Sequence, residues 1–262
     1  MNLQNRVVLI TGGRRLGAHL AKLLAGRGSQ IAMTWYQNEQ AVREALAACE
    51  IAGVKTCSIQ ADLRQLQDNQ RVVAQVVEQF GRIDILVNLT SIYTRTPFAS
   101  LEPSDFDDML DSNLRAPYYT ATEVAKQMLS QPLIESASGY SLRGKIIHFT
   151  DWALDRPYRD YLPYLAAKGG LAAFTKALAV ELAPSITVNA IAPGTVLPPP
   201  GLSEESLDAI RRSGALEQIG SPADVNHAVL YLLEGTDFVT GETLRVDGGR
   251  FLGPPEQNSA DF

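Results

Sequence analysis

Apolar and polar positions along the chain fall into two alternating textures. Short, near-continuous apolar runs rich in β-branched residues recur at VVLI (7–10), QIAMTW (30–35), TCSI (56–59), ILVN (85–88), KIIHF (145–149), ITVNAIA (186–192) and TLRV (243–246). Runs of this kind suit strands covered on both faces. Between them lie stretches such as AHLAKLLAGRG (18–28), DNQRVVAQVVEQFG (68–81) and GGLAAFTKALAVELA (169–183), amphipathic at helical spacing. Strand and helix in alternation predict an α/β fold: a doubly wound parallel sheet of about seven strands with helices on both faces, joined by right-handed crossovers. No internal repeat or linker divides residues 1–262, so a single domain is expected.

Two stretches break the alternation. SQPLIESASGYSLRG (130–144) is a polar insertion before the fifth strand, and PGTVLPPPGLSEES (193–206) opens a proline-rich loop after the sixth. Ligands bind such sheets beyond the carboxyl ends of the strands. The loop, taken as a substrate lid over 193–215, therefore belongs over the site, and the insertion away from it. The tail GPPEQNSADF (253–262) reads as flexible or as packed on a neighbouring subunit.

Composition narrows the function classes. With 45% hydrophobic and 20% charged residues the chain can bury a full core. It has 23 basic and 29 acidic side chains, a net charge of -6 and no long basic run, which argues against nucleic acid as a partner. Cys49 and Cys57 are too few and too poorly spaced for a zinc site or disulfide framework, and read as inert thiols in a reducing compartment. No metal is expected. MNLQNRVVLITGG lacks the features of a signal peptide, and no apolar run is long enough to cross a bilayer, so the expected setting is cytoplasmic, without a membrane partner. Asn88-Leu89-Thr90 matches a glycosylation sequon that this setting leaves unused.

After the first strand, TGGRRLG (11–17) is a glycine turn leading into a helix, where free backbone N–H groups and the positive helix end can hold a pyrophosphate. An NAD site usually places an acid about twenty residues on, near the end of the second strand. Here Trp35-Tyr36-Gln37 stands there, with no acid before Glu39. Arg14 and Arg15 lie in the turn, where a guanidinium can pair with a ribose 2′-phosphate or else cap local carbonyls. NADPH (NADP+) is favoured over NADH.

TDWALDRPYRDYLPYLAAK (150–168) carries the candidate chemistry. A tyrosine hydroxyl titrates near 10, and Lys168, one helical turn after Tyr164 on the same face, can lower that value while reaching a ribose hydroxyl. YLAAK, together with TGGRRLG, AD at 61–62, LVN at 86–88, SN at 112–113, APG at 192–194 and VDGG at 246–249, resembles the short-chain dehydrogenase/reductases over nearly the whole chain. The resemblance implies a Rossmann fold and a cofactor site including Gly12, Leu16, Gly17, Leu63 and Val196. Within it Asp62 bonds the adenine, Asn88 supports the ribose, and Pro193 and Gly194 line the nicotinamide. It implies that Asn113 carries a proton-relay water and that the chain forms a homotetramer. From the residues alone, Asn113 reads equally as a helix kink and Asp62 as an N-cap.

Three departures point within the family. Asp151 stands where a serine is usual, Arg15 replaces the middle glycine of the turn, and NLTSIY replaces an NNAG-like stretch. Together they resemble the pteridine reductase branch, dihydromonapterin reductases included, although TGGRRLG is a residue shorter than that branch's usual turn. The substrate implied is a dihydropterin or dihydrofolate-type ring, placing the chain in tetrahydrobiopterin or folate metabolism. Arg15, Ser91 and Tyr93 would contact the ring, Tyr93 by stacking. Asp151 and Tyr164 would form the proton-delivery pair, and Tyr161 would line the pocket or pack in the core. The competing readings are a carbonyl or 3-oxoacyl reductase and a catalytically silent NADPH-binding sensor or scaffold.

Overall fold

The computed structural model describes residues 1–12, 15–135 and 139–254. Seven parallel strands form one sheet: β1 (Val7–Thr11), β2 (Gln30–Trp35), β3 (Thr56–Gln60), β4 (Ile85–Asn88), β5 (Gly144–Phe149), β6 (Ile186–Pro193) and β7 (Thr243–Val246), in the order β3-β2-β1-β4-β5-β6-β7. Side chains alternate across a strand, and both faces are buried. Val8, Ile10, Ile31, Met33, Val87 and Ile147 pack into one core, and Val7, Leu9, Ala32, Leu86, Ile146 and Val188 into the other. The continuous apolar runs of the sequence are the consequence of that double cover.

Among the described residues eight α-helices accompany the strands: α1 (Leu16–Ala25), α2 (Glu39–Glu50), α3 (Leu66–Phe80), α4 (Pro103–Leu110), α5 (Ala116–Leu129), α6 (Leu162–Leu182), α7 (Glu204–Arg211) and α8 (Pro222–Leu230). A π-helical segment, Asp111–Arg115, joins α4 to α5. The polar insertion holds a two-residue antiparallel pair, Ile134–Glu135 with Ser141–Leu142, leading directly into the start of β5, away from the carboxyl ends of the strands. The tail expected to be flexible lies, from residue 255 on, outside the described residues.

Strand order reverses between β1 and β4, and a crevice opens there at their carboxyl ends. Thr11 and Asn88 close its floor. The Thr11 hydroxyl donates to Asn88 Oδ1 at 2.7 Å, and Asn88 Nδ2 donates to the Pro117 carbonyl at 3.1 Å. Asn88 is buried with its amide committed, so it supports the site by tying β1, β4 and α5 together.

Candidate active site

A cleft of about 870 Å3 lies over this crevice. Gly12, at φ 69°, turns the chain off β1, and a Cβ there would come within 2.9 Å of the Leu89 carbonyl carbon. Only glycine permits that approach. Arg15 follows with φ 52° and ψ -106°, a turn corner that glycine takes at little cost. Its guanidinium donates to the Leu197 and Pro198 carbonyls of the loop after β6. Where a cofactor phosphate or the substrate edge was expected as its partner, the Arg15 guanidinium in this structure clasps the lid. Arg14 lies outside the described residues.

The entrance to α1 suits a dinucleotide. The N-cap residue, Arg15, makes no side-chain cap, so among the described residues the first N–H groups of the helix are left for an anion, and Leu16 and Gly17 line the cleft beside Gly12. Opposite them stand Pro193, Gly194 and Val196.

Asp151 ends β5's exit turn and begins a short 3-10 turn. Its Oδ1 accepts the Ala153 N–H at 2.8 Å, and its Oδ2 accepts the Tyr164 hydroxyl at 2.6 Å. α6 starts with Pro163 in its first turn, which places Tyr164 and Lys168 one turn apart facing the cleft. Tyr164 does not titrate low, as its lysine neighbour suggested. Burial, then the negative charge of Asp151, holds its phenol well above the ordinary tyrosine value. Lys168 is 2% exposed and donates to the Phe149 carbonyl at 2.8 Å. Desolvation brings its ammonium down to about 8, so Lys168 is itself the more easily deprotonated of the two.

Aromatic rings fill the wall beside this pair. Tyr93 stacks on Tyr161 with centroids 4.4 Å apart and meets Tyr164 edge-on at 4.9 Å. Its hydroxyl donates to that of Tyr158 at 3.0 Å. Tyr161 thus belongs to the pocket and to a small satellite core with Met109 and Ala167. Ser91 donates to Asn113 Oδ1 at 2.5 Å, and the Ile92 N–H donates to the same oxygen at 3.2 Å. Asn113 is therefore both a kink residue, in the π-helical segment, and the anchor of the loop bearing Tyr93.

The predicted adenine end is separate. Tyr36 and Asp62 line a smaller cleft of about 440 Å3. Asp62 is held by Arg64 through two bonds of 2.8 and 2.7 Å, and the Arg64 hydrogen bond lowers its carboxyl pKa. Asp62 thus lines the cleft where an adenine contact was expected, already paired with Arg64, whose guanidinium lies 5.3 Å above the Tyr36 ring. Leu63 is buried in the core, and the Trp35 indole donates to Ser58 Oγ at 3.0 Å. Gln37 is exposed and lines neither cleft.

Three titratable cleft residues escaped the sequence reading: Tyr158, Arg156 and Arg250. Tyr158 had a visible signal in the spacing of Tyr158, Tyr161 and Tyr164. Arg250 follows a turn in which Gly248 and Gly249 have φ 62° and 75°, at the ligand end of β7. A cation fixed just beyond such a turn was the signal missed. Among the described residues, no group of three or more His, Cys, Asp or Glu could hold a metal ion, and no helix is long and apolar enough to cross a membrane.

This arrangement, a parallel sheet with a glycine turn at its switch point and a Tyr-Lys pair facing the same crevice, is the scaffold of an oxidoreductase family whose members bind nicotinamide cofactors. The family profile described as enoyl-(acyl carrier protein) reductase matches residues 13–250, and the chain belongs to the short-chain dehydrogenase/reductase family. The short-chain reductase protein NovJ of Streptomyces niveus is 34% identical, the match covering 94% of each chain. A 3-oxoacyl-[acyl-carrier-protein] reductase of Staphylococcus epidermidis is 29% identical over 95% of this chain and all of its own. Among solved structures, a short-chain dehydrogenase/reductase from Serratia marcescens superposes with a TM-score of 0.85 at 30% identity, covering 96% of this chain and 100% of that one. A variant of the actinorhodin polyketide ketoreductase, solved with NADPH, gives 0.83 at 29% identity over 94% of this chain and 97% of its own.

Proposed function

We propose that this oxidoreductase uses NADPH to reduce a dihydropterin or dihydrofolate-type ring. The observation that carries the reading is the 2.6 Å contact between the Tyr164 hydroxyl and Asp151 Oδ2. Reducing a ring C=N bond needs a hydride at carbon, which the nicotinamide supplies when bound, and a proton at the adjacent nitrogen. Asp151 and Tyr164 hold one transferable proton between two oxygens, and the oxygen facing the ring nitrogen delivers it. A carboxylate also accepts from the N–H and amino donors on a pterin edge, whereas it would repel the negative charge that grows on a carbonyl oxygen. Lys168 and the bare entrance to α1 are the cofactor's holding groups. Tyr93 and Tyr161 supply flat surface for the ring.

NADPH preference is supported by the absence of an acid at the end of β2 and by Arg64, whose guanidinium lies over the Tyr36 ring at that end of the site; by sequence position, Arg14 and Arg15 of the glycine turn are further candidates to pair with a 2′-phosphate. The lid reading of 193–215 is supported by Leu197, Leu202 and Ile210, which line the cleft.

A second reading, carbonyl or 3-oxoacyl reduction, is favoured by the names of the relatives, among them a 3-oxoacyl-[acyl-carrier-protein] reductase and a polyketide ketoreductase. NADPH and NADH oxidation with dihydropterin, dihydrofolate and 3-oxoacyl substrates separates the two. Faster turnover of a dihydropterin, with NADPH preferred, is the expected result. Faster turnover of a 3-oxoacyl substrate overturns the first reading.

A further inference from the structure

The chain carries a net charge of -6, yet among the described residues the cleft is lined by Arg15, Arg156, Lys168 and Arg250 against one acid, Asp151. Arg15 is spent on the lid and Lys168 on the Phe149 carbonyl. Arg250 is spent only in part. The DGG turn swings it back over the cleft, with Asp247 accepting the Gly249 and Phe251 N–H groups at 2.9 and 3.0 Å. Its guanidinium carbon lies 4.6 Å over the Trp152 ring, and Nη1 donates to Thr195 Oγ1. Its Nε is buried without a partner. Arg156 approaches from the segment after Asp151 and uses only Nη1, at 3.4 and 3.2 Å from the Ser213 and Arg250 carbonyls. Two guanidiniums with idle donors therefore flank one end of the cleft.

Burying a guanidinium N–H without an acceptor is costly, and burial lowers the Arg250 pKa accordingly; Arg156 is exposed and stands at the rim. The planar fork is shaped to hold an oxyanion through two parallel bonds. We infer that Arg250 and Arg156 form an anion subsite that receives a carboxylate or phosphate carried on the substrate, a few atoms from the group that is reduced. The ring in this picture rests on the function proposed above, but the subsite does not. It adds an anionic tail to the substrate class and assigns its recognition to two residues outside the proton-delivery pair.

The test is calorimetry on the NADP+-loaded protein with three probes: pterin-6-carboxylate, its uncharged 6-carboxamide, and the monophosphate of 6-hydroxymethylpterin. An anion should bind at least tenfold tighter than the amide, and the tighter of the two anions identifies carboxylate or phosphate as the natural tail. Arg250→Gln and Arg156→Gln should each reduce that ratio, and Arg250→Lys should retain part of it as evidence of an intact fold. Equal binding of amide and anions, or a preference that survives both glutamine variants, overturns the inference. If no pterin binds, the ring assignment fails, and a 3-oxo acid is compared with its neutral ester in the same proteins. An Arg250-dependent preference for the acid then sustains the subsite, and its absence sinks it.

Discussion

Replacing Asp151 separates proton delivery from local structure, because its two oxygens do different things. Oδ1 caps the turn through the Ala153 N–H, and Oδ2 holds the Tyr164 hydroxyl. Asparagine keeps a carbonyl for the cap and the shape of the side chain. Its structural loss is confined to the charge-assisted part of one hydrogen bond, about 1–2 kcal/mol. Serine can still cap but is too short to span to Tyr164. Both variants should fold, while kcat with a dihydropterin falls by roughly 10²–10⁴, the usual range for a positioned acid or base, or about 3–5 kcal/mol of barrier. The Asp151 charge is also one of the causes that hold the Tyr164 phenol high, so Asp151→Asn should let Tyr164 titrate at lower pH. NADPH oxidation across pH measures the first effect, and tyrosinate absorbance of the same proteins the second. Near-full dihydropterin turnover in Asp151→Ser, or a Tyr164 titration unmoved by Asp151→Asn, would refute the coupling and pass the assignment to the carbonyl reading.

Tyr164→Phe should abolish reduction while NADPH affinity stays within a few-fold, because a donor is lost but little contact area; equilibrium binding beside turnover decides it. Arg15→Gly should relax a backbone corner that costs a non-glycine residue about 1 kcal/mol, raising the melting temperature while freeing the Leu197 and Pro198 carbonyls. A lower melting temperature would show that the clasp outweighs the strain. Neutralising Arg14 and Arg15 together should weaken NADPH by about 2–4 kcal/mol and NADH much less, as read by fluorescence titration of both cofactors. His148, fully buried, has its pKa lowered to about 3, first by desolvation and then by Lys168. The unfolded chain takes up a proton near 6.5 that the native state refuses, so stability falls as pH drops through that window by about 1.4 kcal/mol per unit, roughly 2 kcal/mol by pH 5. His148→Gln should flatten that slope in urea melts, and an unchanged slope would assign the acid sensitivity to other groups.

How far the molecule could be read from its sequence follows from which features are local. The strand VVLI became Val7–Thr11 and ILVN became Ile85–Asn88, because a strand buried on both faces writes its whole length in apolar residues. Asp151, Tyr164 and Lys168 were legible as a set through one helical turn and a loop of fixed length. What each side chain bonds to was not. The partnership of Asp62 with Arg64, the clasp of Arg15 on the lid, and the Phe149 carbonyl under Lys168 are choices among several nearby groups, made by three-dimensional packing. Arg250 shows the same limit at longer range, since its neighbours Trp152 and Thr195 come from two other connections.

The π-helical segment at Asp111–Arg115 fixes the length of the chain here as well as its geometry. It stores one residue more than an α-turn would, and each residue rotates a helix face by roughly 100°. That surplus aims Asn113 at Ser91 and sets the phase in which Ala121, Val124, Ala125 and Met128 of α5 meet the core. Deleting any one residue between 111 and 115 would turn the α5 face off the sheet at the same stroke as it unhooks the Tyr93 loop. Apart from Asn113, whose side chain holds the loop, what the segment contributes is its length, and that length sets the register of the fold downstream of it.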